Sequence, residues 1–297
     1  MTRETSRGTS LMSIRRASQL AAAAMLAFAT LAFGATTAAR AAGDAPQPPR
    51  QSWSFAGPFG AYDKAQLQRG FKVYREVCSA CHSMKLLSFR NLAEAGGPGF
   101  SEAQVKALAA EYKVKDGPNE SGAMFERPGR PSDRFPSNFA NDNEARSANN
   151  GALPPDFSVL AKARTYSRGF PWFLLDAVIQ YQEHGPDYIV ALLNGYRDEA
   201  PKGVTLLPGQ YYNDYMPGHV LSMAKPISDG QVEYTDGSPT TTMQYARDVT
   251  AFMAWAAEPK LEERKKTGLR VMIFLILLTT LLYYTKQKIW SKVYAHA

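Results

Sequence analysis

The chain is short of the residues that build metal clusters. It holds only two cysteines and four histidines in 297 residues. A tetrahedral structural zinc needs about four ligands, and His82, His184, His219 and His296 lie at no finger spacing from one another, so zinc finds no donor set. Glycine-rich phosphate loops, internal repeats and carboxylate pairs spaced for acid–base work are also missing. What chemistry the chain carries must therefore come from a very small set of residues.

Both cysteines fall in one run, Cys78-Ser79-Ala80-Cys81-His82. Two thiols three positions apart suit the two vinyl groups of one porphyrin, and the adjacent imidazole then falls under the iron as proximal ligand. A thioredoxin-like redox pair would sit at a strand end in a βαβ unit. Here Leu67, Phe71, Tyr74 and Val77 precede the motif at helical spacing, so the cysteines end an amphipathic helix. The motif points to covalent haem attachment and hence to electron transfer.

The sixth ligand stays open at this point. A methionine sulfur raises the potential relative to a second imidazole, and the methionines after the motif are Met84, Met124, Met216, Met223, Met243 and Met253, with His184 and His219 as rivals. Met84 is too close to His82 to cross the ring. Met243 and Met253 read as core positions of a closing helix, which Ser238 would cap with Pro239 at its first position. That helix shows an apolar face of Tyr245, Val249, Phe252 and Ala256, and it is expected to pack on the helix before Cys78. Met216 and Met223 remain, and spacing alone does not separate them. Between the two helices, Gly96–Gly99, Gly117–Asn119 and residues 122–150 read as ordered loops punctuated by Phe125, Phe135 and Phe139. Val232–Gly237 reads as a short strand and turn.

Arg15 and Arg16, an apolar run from Leu20 to Phe33, and Ala39-Arg40-Ala41 form an export signal expected to be cleaved after residue 41. A second apolar stretch covers the 17 residues from Gly268 to Tyr284, about 26 Å at roughly 1.5 Å per residue, close to the ~30 Å bilayer core. It reads as a single membrane helix over 268–285, preceded by a juxtamembrane segment 259–267 and followed by a tail, 286–297. The export signal places the body, residues 42–258, outside and the tail in the cytoplasm. The net charge of +7 comes from the ends: residues 1–42 hold five basic and one acidic group, 43–258 hold 21 and 24, and 259–297 hold eight and two. A mildly acidic body argues against a nucleic-acid partner and permits docking of a basic soluble one.

These residues resemble the cytochrome c1 family. The resemblance runs from Trp53-Ser54-Phe55 through the haem motif to Ala148-Asn149-Asn150-Gly151-Ala152-Leu153-Pro154-Pro155-Asp156. It continues through Tyr211-Tyr212-Asn213, Met223-Ala224-Lys225-Pro226-Ile227, Asp236-Gly237-Ser238-Pro239 and Trp255-Ala256-Ala257-Glu258-Pro259. It implies a mainly α, class I cytochrome c-like haem domain with long irregular loop insertions and one C-terminal transmembrane helix. It also implies one covalent haem c, with thioethers from Cys78 and Cys81, proximal ligation by His82 and distal ligation by Met223. Met216 is then a decoy, Pro154 and Pro155 line the haem, and Arg164 pairs with a propionate.

The implied role is the electron-transfer subunit of ubiquinol:cytochrome c oxidoreductase. Electrons would come from the Rieske iron-sulfur protein and go to cytochrome c, with cytochrome b and membrane lipid as further partners in a dimeric complex at the bacterial inner membrane. The alternative is a free-standing anchored c-type cytochrome or a haem-based sensor. Two departures stand out: Lys225 beside the distal ligand, and Thr165–Gly185, which looks like an insertion relative to shorter members.

Overall fold

The computed structural model describes residues 45–294 apart from residue 167. The described residues from 46 onward belong to one unit, and the expected export signal, residues 1–41, lies outside the described residues. Among the described residues the chain is mainly helical, with two small two-stranded sheets.

The frame is a crossing of two helices. Helix α1, Lys64–Glu76, starts where the Asp63 carboxylate accepts the N–H groups of Ala65 and Gln66, and it buries Leu67, Phe71 and Tyr74 as the sequence periodicity predicts. It packs on the later helix Thr242–Ala257 through Phe71 and Tyr74, whose rings stand 5.5 and 5.9 Å from that of Phe252. Gly70 allows the crossing. A β-carbon there would sit 2.0 Å from the Asp248 carbonyl oxygen, so any larger residue would force the helices apart.

A buried ion pair fixes the rotation of the pair. Asp248 is fully buried and accepts Arg69 Nε at 2.9 Å, the Tyr234 hydroxyl at 2.9 Å and Gln244 Nε2 at 2.9 Å. The Arg69 guanidinium also reaches Asp236 at 2.7 Å. A buried carboxylate with three donors is compensated in a way that an unpaired one would not be.

Smaller elements surround this frame. Helix α2, Glu102–Ala110, opens on a Ser101/Gln104 capping box. Strands β1, Lys113–Asp116, and β2, Phe125–Pro128, pair antiparallel, so the stretch read as loop contains a hairpin. Helices α3, Asp142–Ala148, and α4, Leu160–Ala163, follow. Then come α5, Trp172–Ile179, and α6, His184–Asn194. Strands β3, Tyr211–Tyr212, and β4, Val220–Leu221, form the second hairpin. Helix α7, Thr242–Ala257, and helix α8, Leu261–Tyr294, complete the chain.

Three local expectations are corrected. Helix α7 begins at Thr242, because the Thr241 hydroxyl caps the Gln244 N–H, while the Ser238 N–H is taken by Asp236 Oδ1 in a turn. Met243, in the first turn, is consequently exposed, whereas Met253 is core. Val232–Gly237 forms no strand: Val232 bonds the Tyr245 hydroxyl through both its N–H and its carbonyl, which satisfies the backbone groups a partner strand would have used.

Helix α8 begins at Leu261 rather than Gly268. It takes the expected juxtamembrane residues into its first turns and runs unbroken through residues 286–294. Its stretch Leu261–Ser291 is long and apolar enough to cross a membrane, and none of the window is buried in protein.

Candidate functional site

The cysteines lie just beyond α1 rather than within it. The Val77 N–H closes the last turn on Val73, and Cys78–Ala80 form a 3₁₀ turn in which the Cys78 carbonyl accepts Cys81 N–H at 3.1 Å and His82 N–H at 2.9 Å. The tighter turn brings both thiols and the imidazole onto a single loop of backbone. The Ser79 hydroxyl donates to the Arg75 carbonyl at 2.8 Å, and the Ser79 carbonyl accepts from the Asn138 amide.

His82 is the best-defined group of the set. Its ring stacks on Phe157 with centroids 4.1 Å apart and planes 21° apart. Its Nδ1 lies 2.8 Å from the Pro155 carbonyl oxygen. A carbonyl can only accept, so Nδ1 carries the proton and Nε2 keeps its lone pair. Burial lowers the imidazole pKa, outweighing the opposing effects of the Pro155 carbonyl and of Asp156, so the ring is in the neutral form that binds metal.

The Pro155–Phe157 support is itself anchored. Asp156 accepts the Lys85 N–H at 2.9 Å, the Ser83 hydroxyl at 2.8 Å and the Ser158 N–H at 2.8 Å. Burial alone would raise this carboxyl. The donors outweigh it and hold the pKa below the usual range. The Phe157 N–H donates to the Ser83 carbonyl at 2.8 Å, tying the segment to the residue after His82. Met84, set aside above as too close to His82 to cross the ring, is fully buried core.

Cys78 is half-buried and Cys81 exposed, and neither is in a disulfide. Burial, with Cys81 nearby, pushes the Cys78 thiol up to about 12. Redox-active C-x-x-C cysteines have depressed pKa values, so Cys78 does not have their electrostatics. A neutral imidazole with a free Nε2 and two unbridged thiols on the same turn match the donor chemistry of a c-type haem.

The second set of groups comes from the β3–β4 hairpin. Asn213 is fully buried and organises it. Its Nδ2 donates to the Leu192 carbonyl at 2.7 Å, and its Oδ1 accepts the N–H groups of Tyr215 and Met216 at 2.9 and 3.2 Å. Met216 sits in the hairpin loop, and its sulfur accepts the Tyr188 hydroxyl at 3.6 Å. Met223 follows β4, half-buried, with its carbonyl accepting the Tyr196 hydroxyl at 3.1 Å. The Met223 sulfur makes no hydrogen bond among the described residues.

His219 stacks on Tyr212 and has its Nδ1 3.1 Å from the Asn213 carbonyl. His184 lies elsewhere, 3.4 Å from Asp176. Lys225 is exposed.

Arg164, just past α4, is exposed, and among the described residues no hydrogen bond or ion pair joins it to Cys78, Cys81 or His82. Its charge acts on the Tyr188 phenol, lowering its pKa against the larger effect of burial. Arg164 also lines the cleft formed by Glu183 and by Leu261, Arg264 and Lys265 of α8. Sequence reasoning missed Phe157, Asp156 and Asn213 as supports. The Pro154-Pro155-Asp156-Phe157 run was visible, but nothing in its spacing shows that it folds under His82, 73 residues away at Pro155.

Comparison with known proteins agrees with this chemistry. The profile of the Cytochrome C1 family matches residues 53–293. Cytochrome b/c1 of Bradyrhizobium diazoefficiens is 56% identical across 91% of this chain, which spans only 39% of that longer protein. Cytochrome c1 of Blastochloris viridis is 49% identical, covering 89% of this chain and 93% of its own length. The mitochondrial cytochrome c1 heme protein of Saccharomyces cerevisiae is 43% identical across 82% of this chain and 72% of its own. With a family match over most of its length and relatives of this identity, the chain belongs to the cytochrome c1 family.

Proposed function

We propose that this chain is the haem-carrying electron-transfer subunit of a ubiquinol:cytochrome c oxidoreductase, with one haem c attached through Cys78 and Cys81. The observation that carries the proposal is the state of His82: buried, neutral, stacked on Phe157 and locked by Pro155 so that Nε2 is the free ligand atom. A bound haem c would supply a one-electron redox centre.

The chain's own part is positional. The 3₁₀ turn presents both thiols and the imidazole together. Phe157 and Pro155 fix the ring plane, and the surrounding core of Tyr74, Phe135 and Phe157 excludes water from that side. Met223 is assigned as distal ligand over Met216, because the Met216 sulfur already accepts the Tyr188 hydroxyl while that of Met223 is uncommitted. Arg164 is assigned to a propionate, since it is exposed and has no carboxylate partner among the described residues.

The partners we infer are cytochrome b, a Rieske iron-sulfur protein as donor and cytochrome c as acceptor, within a dimeric complex. A relative whose name joins cytochrome b and c1 in one chain supports the first. Residues 1–41 are assigned as an export signal and residues 42–258 as the haem domain, on the periplasmic side of a bacterial inner membrane and held by α8 with its end in the cytoplasm. The test is affinity purification of the full-length chain from its native membranes, with haem staining and assay of quinol-dependent cytochrome c reduction. Recovery of a covalent haem band, cytochrome b and an iron-sulfur protein in an active assembly supports the proposal. An active free-standing chain without those subunits would overturn it in favour of an independent carrier.

A further inference from the structure

The segment Thr165–Gly185 plays no part in the site described above, yet it is built firmly. Tyr166 near its start and Tyr181 near its end both donate to the buried carboxylate of Asp187, at 3.4 and 2.5 Å, which also accepts Trp53 Nε1 at 2.9 Å. Between these two clamps lies α5, and its polarity is inverted. Its only charged residue, Asp176, is 5% exposed and turned inward, paired with Arg168 at 2.6 Å and facing His184 Nε2 at 3.4 Å.

The apolar residues point outward instead: Phe170 is 78% exposed and Val178 80%, and Phe173, Leu174, Leu175 and Ile179 are all exposed as well. These cover most of the helix circumference rather than one stripe. A helix docked in a protein groove needs a single apolar stripe with a polar remainder, and this one does not show it.

Its place in the fold says what covers it. Gln180, Gln182 and Glu183, which follow α5 directly, line one cleft with Leu261, Arg264 and Lys265 from the first turns of α8. Arg264 and Lys265 precede Leu269 by five and four residues, about 6–8 Å at ~1.5 Å per residue, which is the depth of a lipid headgroup layer. Lys265 Nζ also donates to the carbonyls of Phe55 and Gly60, at 2.6 and 3.3 Å, holding at the same root a loop whose Phe59 is 78% exposed. The guanidinium of Arg168 lies 5.0 Å from the Trp172 ring centroid, the pairing of a cation with an interfacial aromatic that suits a membrane surface.

We propose that α5 is a second membrane contact: a short interfacial helix that lies in the headgroup–acyl boundary of the same bilayer that α8 crosses, with Phe59 as a lesser contact beside it. This rests on α8 being the membrane anchor. Two attachment points would fix the tilt of the haem domain over the membrane, which a single helix does not.

The test uses the complex purified with the full chain, placed in phosphatidylcholine nanodiscs that carry a diazirine in the acyl chain, followed by irradiation and peptide mapping. Adducts are expected on residues 170–179 as well as 271–284. Leu174→Glu/Val178→Glu is expected to lower the 170–179 yield at least tenfold and leave the 271–284 yield and the haem spectrum unchanged. Labelling of 271–284 with 170–179 no higher than the peptide bearing exposed Leu86 would overturn the proposal while sparing the anchor. Labelling of neither would overturn both. A photoreactive residue at position 173 that crosslinks to a polypeptide neighbour rather than to lipid would assign α5 to a subunit interface and overturn it too.

Discussion

The two sides of the proposed haem site are built in opposite ways. On the His82 side the reactive groups are consecutive in sequence and sit on one short turn, with a helix behind it and Phe157 beneath the ring. On the methionine side the groups hang on a two-residue hairpin whose strands are too short to be stable alone. That hairpin is tied down by its own Asn213, which donates to Leu192, and by two side chains from elsewhere, Tyr188 onto Met216 and Tyr196 onto Met223. A locally encoded side and a tertiary-encoded side should respond differently to damage.

The largest effect is expected at the frame that supports the first side. Asp248→Ala leaves Arg69 without its buried partner and should destabilise the whole domain by about 3–5 kcal/mol, seen as a lower midpoint in thermal unfolding followed by circular dichroism. Both sides of the site should be lost together in that variant. Asn213→Ala should cost less, about 1–3 kcal/mol, because it strands the Leu192 carbonyl and the Tyr215 and Met216 N–H groups. Its loss should be confined to the hairpin: hydrogen exchange is expected to rise over 211–223 while residues 64–82 stay protected.

Tyr196→Phe removes one bond to the Met223 carbonyl and should cost only about 1 kcal/mol. Its expected signature is a shifted redox potential with an unchanged amount of covalent haem. If it alters haem attachment instead, the separation of the two sides fails. The smallest effect concerns acid. The Ser238 N–H, and then Arg69, hold the Asp236 carboxyl down at about 2. Its contribution is therefore present above the ordinary carboxylate pKa and is lost as pH falls from near 4 through about 2. Asp236→Asn should flatten the stability profile over that interval without touching either side of the site.

The same contrast explains what could be read from the chain beforehand. The motif Cys78–His82, the faces of α1 and α7 and the apolar stretch within α8 are legible because each is a local pattern of spacing or hydrophobicity. The helix ends were less legible, since Thr241 and Ser238 are both good caps and only the bonds each finds elsewhere decide between them. The β1–β2 hairpin was hidden by a sequence of mixed charge, Lys113–Asp116 against Phe125–Pro128, whose pairing is helped by Arg127 bonding to Asp116 and Asp133. The choice between Met216 and Met223 could not be made from spacing at all. The group on which the proposed choice rests, Tyr188 bonded to the Met216 sulfur, comes from α6.

The central proposal is that His82 and Met223 would be the two side chains that hold the haem iron. Its most direct test is the redox potential and reduced-minus-oxidised spectrum of the purified complex carrying Met223→Leu, set beside Met216→Leu. The account predicts that Met223→Leu lowers the potential sharply and stops quinol-dependent cytochrome c reduction with the haem still covalently bound, while Met216→Leu leaves the ligation signature in place. Unchanged potential and activity in Met223→Leu would contradict it.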